Sequence, residues 1–512
     1  MSPIWIIAKR EFTENILSLR LFIGLIVCLA LFIASTYVLM EDYEKRLSIH
    51  NAAEIEHRNA LEKVKVYSYL RLDIAKPPEP LSVICLGMER QLGSTVKVSY
   101  EDVPTEARIL GGGNPLLNIF SAVDAVLMVQ IAFSLFVISI AYDVICGERE
   151  SGTLALVVSN PVSKYHILIG KYLGGMASLL VPLAIGWIAA ALLINVNPMI
   201  EFHIAEWNRF GLLFAVLTLY LSVFFLLSML VSAITYRSAR ALVWLLFFWI
   251  VIVFIIPNGA VYIAKQVRPI PSKAVVNIES AAITTAFNEK IRDYGRKHQS
   301  RSYFMSERSV ISGSYPFAYH VLTASREGML WYLDGAQFYI PHRIEYAEQI
   351  GNLHQEYYRS LKRQTVLAEN LSRLSPAWVY YNISAGLSGT DLRRHERFIQ
   401  QAQDYRKALM AYMQEQEAFS SINWFTSVNL NDMPSQVGLV ESDEEAFFAN
   451  ITPKSWDDVE PLDLSGMPVF TSGLASGNNA LGEVFPDLVY LIFLNILLFL
   501  ITGAMFLKSE MR

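Results

Sequence analysis

The chain has 512 residues, 53% of them hydrophobic and 17% charged, with a mean hydropathy of +0.34 and a formal net charge of −5. A soluble chain is closer to about a quarter charged, so the composition argues against a soluble protein, and the small negative charge argues against a nucleic-acid-binding surface. The three cysteines, Cys28, Cys85 and Cys146, stand too far apart for a zinc-type spacing or a disulfide framework.

In chain order, residues 1–20 carry "PIWIIAKREFTENILSLR", where apolar and charged residues recur at helical spacing. That is the pattern of a helix lying in the membrane interface. A run of roughly 20 apolar residues is needed to cross the ~30 Å hydrocarbon core. Six runs meet that length: 21–40, 119–142, 172–194, 210–234, 241–264 and 486–507. The first reads as a span rather than a cleaved leader, because no small-x-small site closes it.

Residues 41–118 begin as a charged helix, break at "KPPEP", continue through a strand-like "GSTVKVSYE" and return at a glycine turn, "GGGNP". Residues 265–485 have the composition of a soluble domain and carry two long stretches of helical periodicity with a charged face. Ser375-Pro376 signals a helix start, and Thr390 or Asp391 caps the helix that follows. Both segments leave from the same side, so they are expected to pack into one mostly helical outer domain.

Lys and Arg mark the cytoplasmic ends of spans. Lys9, Arg10 and Arg20 precede the first; Arg149, Lys164 and Lys171 lie between the second and third; Arg237 and Arg240 lie between the fourth and fifth; Lys508 and Arg512 follow the last. All fall on one side if both termini are cytoplasmic. The expected fold is therefore an α-helical polytopic membrane protein with six transmembrane helices and a mainly helical extracytoplasmic domain.

No GxxxxGK[ST], HExxH or GxSxG occurs, so no phosphate loop, zinc-protease helix or nucleophile elbow is expected, and no catalytic or metal-ligating set. His395 in "RRHERF" reads as a solvated helix face. Charges deep in a span are costly and usually functional. Here Asp124, Asp143 and Asp487 all stand near span ends, Asp124 deepest. Gln130 and Asn495 could line a path with Asp124, or make interhelical hydrogen bonds. Without mid-span ionisable groups, the energy for any work is expected to come from outside this chain.

The turn at 143–171 is unusually elaborate. "GERESGTL" holds Glu148, Arg149 and Glu150; Gly152 breaks the helix, Thr153 can cap a short new one, "LALVVS", and Asn160-Pro161 restarts the chain towards Lys164 and Lys171. Such an elbow suits docking in a partner's groove. An inert polar turn with snorkelling lysines would carry much the same pattern. The stretch "ERESGTLALVVSNPVSKYHILIGK" resembles the cytoplasmic loop of ABC-2-type exporter permeases, matching at Glu148, Glu150, Gly152, Thr153, Leu154, Pro161, Lys164, Gly170 and Lys171. "AKREF" resembles that family's opening helix. "PPEPLSVICLGME" and "LSRLSPAWVYYNISAGLSGTDLRRHERFIQQAQDYRKAL" resemble a subgroup with large extracytoplasmic insertions, often grouped with multicopper-enzyme maturation. The resemblance implies a permease of the inner membrane, paired with a second permease, identical or related, and driven by cytoplasmic ABC ATPase subunits that bind ATP and Mg. An envelope partner outside is compatible with it. The copper association is not carried over, because Met, His and Cys do not cluster in ligand spacing.

Overall fold

The structure, a computed structural model, describes residues 3–109, 125–154, 162–306, 310–314, 318–323, 326–426, 429–433, 460–471 and 480–509. The chain begins with α1 (Pro3–Ile16). Among the described residues six helices are long and apolar enough to cross a membrane. They are α2 (Leu19–Leu61), α3 (Ala125–Glu150), α4 (Lys164–Val196), α5 (Ile204–Ile234), α6 (Ser238–Val267) and, after the domain helices α7 (Lys273–Ser306), α8 (Arg326–Ser372), α9 (Pro376–Ser388) and α10 (Leu392–Glu415), α11 (Ala480–Ser509). The expected spans lie inside these helices, apart from 119–124, which fall outside the described residues together with "GGGNP".

Two expectations about the outer segments need correction. The first span and the charged helix after it are one rod: α2 runs 43 residues without a break, roughly 65 Å at 1.5 Å per residue. It ends at Leu61, earlier than its charged pattern suggests. The following "VYSYLRLDIA" alternates apolar and polar residues and forms β1 (Leu72–Ala75), paired antiparallel with β2 (Thr95–Val98), Leu72 opposite Val98. A second hairpin joins β3 (Val310–Ser314) to β4 (Ala318–Thr323).

Segments 41–118 and 265–485, expected to pack together, share one core among the described residues. Tyr100 from the first meets Trp424 from the second edge-on, ring centroids 4.9 Å apart, among Phe287, Tyr332, Phe398 and Phe425. Buried Arg406 on α10 donates to the Ser99 and Tyr100 carbonyl oxygens at 3.0 and 3.1 Å and pairs with Glu348 on α8. His395 is not a solvated face: it is half-buried, and burial with nearby Lys76 pushes its pKa down to about 4, so the imidazole is neutral at pH 7.

The larger correction concerns α9. Assigned by sequence to the outer domain, it is packed instead in the apolar core of the spans: Ala377, Val379, Tyr380, Ile383, Ala385 and Leu387 are buried there. Its 13 residues span about 20 Å, too short to cross a bilayer. It starts in the middle of the bundle, where Ser375 bonds the Ile252 carbonyl oxygen halfway along α6, and runs back towards the domain end, where Leu387 meets Arg209 near the start of α5. Tyr380 stacks on Tyr220, halfway along α5, with centroids 4.5 Å apart and planes 17° apart.

Candidate functional site

Two constructions, one at each end of the bundle, bind helices that are distant in sequence. At the elbow end, each charge of "GERESGTL" is fastened to a different helix. Glu148 Oε1 lies 2.9 Å from Lys171 Nζ on α4, and the same ammonium lies 2.5 Å from Glu11 Oε1 on α1. Lys171 is 3% exposed. Two carboxylates thus share one buried cation, and burial pushes the Glu11 carboxyl up while Lys171 draws it back. Arg149 donates to the Ala233 and Thr235 carbonyl oxygens at 3.3 and 3.0 Å, satisfying the C-terminal end of α5. Glu150 accepts from the Ser238 amide and hydroxyl at 3.2 and 2.8 Å, satisfying the N-terminal end of α6. Ser232 Oγ on α5 accepts from the Ile145 and Cys146 amides at 3.0 and 2.9 Å. Asp143 accepts from Arg20 on α2 at 3.0 Å.

Residues 143–150 therefore hold α2, α4, α5 and α6 to the end of α3, and Lys171 extends the link to α1. The expectation of acids presented to a partner is corrected for Glu148, whose charge is turned inward to Lys171 because an ammonium buried beside α1 must be neutralised. Close approach of α1 to α4 depends on glycine: a Cβ at Gly170 would lie 2.7 Å from the Ile7 Cβ, and one at Gly174 2.5 Å from the Ala8 carbonyl oxygen. After Glu150, Gly152 takes a φ of +75° with open space around it, and Ser151, Gly152 and Thr153 are exposed. Thr153 does not cap from outside a helix as expected. It is itself helical, and its hydroxyl turns back to the Glu148 carbonyl oxygen at 3.3 Å. Leu154 is buried in the bundle core. Lys164 is the first residue of α4. Pro161 and residues 155–160 lie outside the described residues, as does Asp124.

At the domain end, α9 closes the bundle like a roof. The reason lies in α6, which contains a π-turn at Val251–Ile255 followed by Pro257. The Ile256 amide bonds to the Val251 carbonyl oxygen, and Pro257 has no N–H, so the Ile252 carbonyl oxygen loses both helical donors. Ser375 Oγ donates to it at 2.6 Å while accepting from the Trp378 amide as the N-cap of α9. A second π-turn, Val129–Phe133 in α3, exposes the Gln130 carbonyl oxygen, which accepts from Ser134 Oγ at 2.6 Å and from Tyr220, the ring under Tyr380, at 2.8 Å. Gln130 thus acts through its backbone. Asn495 makes the interhelical bond, its amide donating to the Leu219 carbonyl oxygen on α5 at 3.1 Å.

The far end of α9 is equally tied. Gly389 takes φ +73°, the Thr390 amide returns to the Ala385 carbonyl oxygen at 3.0 Å, and Arg209 on α5 donates to the Leu387 carbonyl oxygen at 3.4 Å. Beyond it, Arg394 pairs with buried Glu79 at 2.6 Å, and Arg46 on α2 pairs with Glu89 at 3.0 Å. "PPEPLSVICLGME" and "LSRLSPAWVYYNISAGLSGTDLRRHERF" meet here, the Met88 amide donating to the Thr390 carbonyl oxygen at 3.0 Å. Asp487 on α11 accepts from Arg373 at 2.9 Å and from Asn382 on α9 at 2.7 Å.

A bundle of this form, with an elbow between its second and third spans, matches the family model of the ABC-2 family transporter protein over residues 5–414. The chain belongs to the ABC-2 transporter family. It is also similar to two curated proteins, each named probable ABC transporter permease protein NosY, from Pseudomonas aeruginosa and Stutzerimonas stutzeri; each is 42% identical over 60 residues, 12% of this chain. The match spans 22% of the length of each of those relatives. The chain is thus an ABC-2 permease by family, with α-helical spans and an added domain.

The glycine contacts and the shared lysine make one prediction. Lys171→Met leaves two half-buried carboxylates without their buried cation and should cost about 3 kcal/mol. Thermal unfolding in detergent should show a markedly lowered Tm, partly restored when Glu11→Gln is added; an unchanged Tm would mean that the triad does not hold α1 to the bundle.

Proposed function

We propose that this chain is the membrane subunit of an ABC exporter, coupling ATP hydrolysis on separate cytoplasmic ATPase subunits to outward movement of a lipidic or peptidic substrate. The observation that carries this reading is the elbow. Residues 143–150 are bonded to α2, α4, α5 and α6, and through Lys171 to α1, whereas the adjoining Ser151, Gly152 and Thr153 are exposed. A push on that projection is delivered to most of the bundle at once. ATP and Mg would be held by the ATPase, and a second permease, identical or related, would complete the translocation unit. In this reading both termini and the elbow are cytoplasmic, in the inner membrane, and the domain of 41–118 and 265–485 is outside.

A second reading is favoured by a different observation. The rod α2 runs unbroken from Leu19 to Leu61, and the roof ties the outer domain to α2, α5, α6 and α11. Motion of the spans then moves the outer domain, which can act on an envelope partner with nothing crossing the bilayer. In sealed vesicles holding the full complex, ATP-dependent accumulation of a lipid or peptide cargo supports export; ATP-dependent changes in outer-domain amide protection without accumulation support the mechanical reading.

Two outcomes follow. In intact cells, a cysteine placed at Arg58, whose side chain is 72% exposed, should react with an impermeant maleimide, and one at Ser151 should not; the reverse pattern overturns the orientation. Gly152→Val forces a branched residue into positive φ at a local cost of about 1–2 kcal/mol. It should lower the ATP turnover of the assembled complex at least tenfold while Cys146, buried beside the elbow, stays protected from alkylation. Normal turnover would place ATPase docking elsewhere.

A further inference from the structure

The turn between α4 and α5, residues 197–203, leaves an open groove at the domain end of the bundle. The groove holds about 340 Å³. Its floor is apolar, made by buried Ile194 and Ile200, and its wall is Phe202 and Trp207. Trp207 meets Phe202 and Phe210 edge-on, with ring centroids 5.2 and 5.6 Å apart. Asn195 and Glu201 stand exposed at the rim. The other polar groups here are already engaged. His203 is the N-cap of α5: its ring accepts from the Glu206 amide, and its own amide donates to the Glu206 carboxylate at 3.0 Å. Arg209 neutralises Glu206 at 2.5 Å. Glu201 has no ion pair among the described residues, and neither the Asn195 amide nor Trp207 Nε1 makes a hydrogen bond there. Glu44 on α2 adds a second carboxylate to this turn; it accepts from the neutral Asn197 amide and has no cation of its own among the described residues. The groove thus combines uncompensated negative charge with aromatic rings, a surround that favours a bound cation.

We infer that this groove binds the headgroup of a phosphatidylethanolamine-type lipid, with the ammonium at Glu201 and the phosphate at the Trp207 indole N–H. The groove lies where two spans end, the depth at which headgroups sit and Trp is favoured. Below it, α4 carries a track for the tails: Val181, Ile185, Ile188, Leu192 and Val196 are exposed. Steps of three or four residues put them on one face, and Asn195, seven residues after Ile188, lies at the edge of that face. The track is about 22 Å long, more than the ~15 Å of one hydrocarbon leaflet. A primary ammonium suits the rim because its N–H groups can donate to both Glu201 and the Asn195 side-chain oxygen, which a quaternary ammonium cannot do. The single N–H of Trp207 then faces the anionic part of the same headgroup. The site is independent of the ATP-driven reading and needs only that α4 and α5 span a bilayer.

Native mass spectrometry of the full chain in detergent tests this with two added lipids, phosphatidylethanolamine and its N-acetylated form, which keeps the phosphate and tails but has no ammonium. The parent chain should retain phosphatidylethanolamine about tenfold more firmly, the scale of one charge-assisted hydrogen bond. Glu201→Gln should hold the two lipids equally. Trp207→Phe, which keeps a ring against Phe202 and Phe210, should weaken both together. Equal retention of the two lipids by the parent overturns the site, and so does undiminished retention of phosphatidylethanolamine in either variant. Glycerophosphoethanolamine, the headgroup without its tails, should not displace the lipid at equal concentration. Displacement would make the groove a site for a soluble amine and overturn the lipid assignment.

Discussion

A carbonyl oxygen without a donor, in the middle of a span, organises the upper half of this protein. Pro257 and the π-turn before it strip the Ile252 carbonyl of both helical partners. In an apolar bundle such a group costs several kcal/mol if left alone, about as much as a large fraction of total stability. The Ser375 hydroxyl meets it and at the same time caps α9. Once that residue is fixed, the helix that follows must lie inside the bundle, Tyr380 must fall on Tyr220, and the chain must leave at Gly389 towards Glu79 and Arg394. A short helix with satisfied ends is the form in which non-spanning backbone can sit at this depth.

The same logic of satisfied ends governs the elbow. The last carbonyls of α5 and the first amides of α6 are left open by the short turn between them; Arg149 from a neighbouring turn takes the Ala233 and Thr235 carbonyls and Glu150 the Ser238 amide. Each of the two ends of the bundle is thus held by a segment from elsewhere in the chain. In the proposed function these short, directional links carry displacement between the spans, and those at Lys171 and Ser232 are buried. Surface ion pairs of the same number would contribute little.

The spans were legible in the sequence because apolar runs of this length have no soluble alternative, and Gly152 was legible because a helix break beside charged residues is a strong local signal. The role of the charges was not. Glu148, Arg149 and Glu150 read as a surface presented to a partner, since their partners Lys171, Thr235 and Ser238 are 23–88 residues away. The roof was misplaced for a related reason: "PAWVYYNISAGLS" is too short to register as a span, and its neighbours are charged enough to read as a soluble domain. Pro257 and Ser375 were each visible as local signals, a kink and a cap. That one answers the other is a long-range fact about one carbonyl oxygen stripped of its helical donors, and no periodicity reports it. His395 was misread because its charged flanks hid the burial imposed by the packing of α10.

The central claim is that Ser375 seats α9 by answering the carbonyl oxygen that Pro257 leaves bare, and a double-mutant cycle tests it most directly. Thermal unfolding of the full chain in detergent is compared for the parent, Ser375→Ala, Pro257→Ala and the double variant. The account predicts a marked fall in Tm for Ser375→Ala that Pro257→Ala, which restores an N–H to the helix, partly recovers. Equal Tm values for the parent and Ser375→Ala would contradict it.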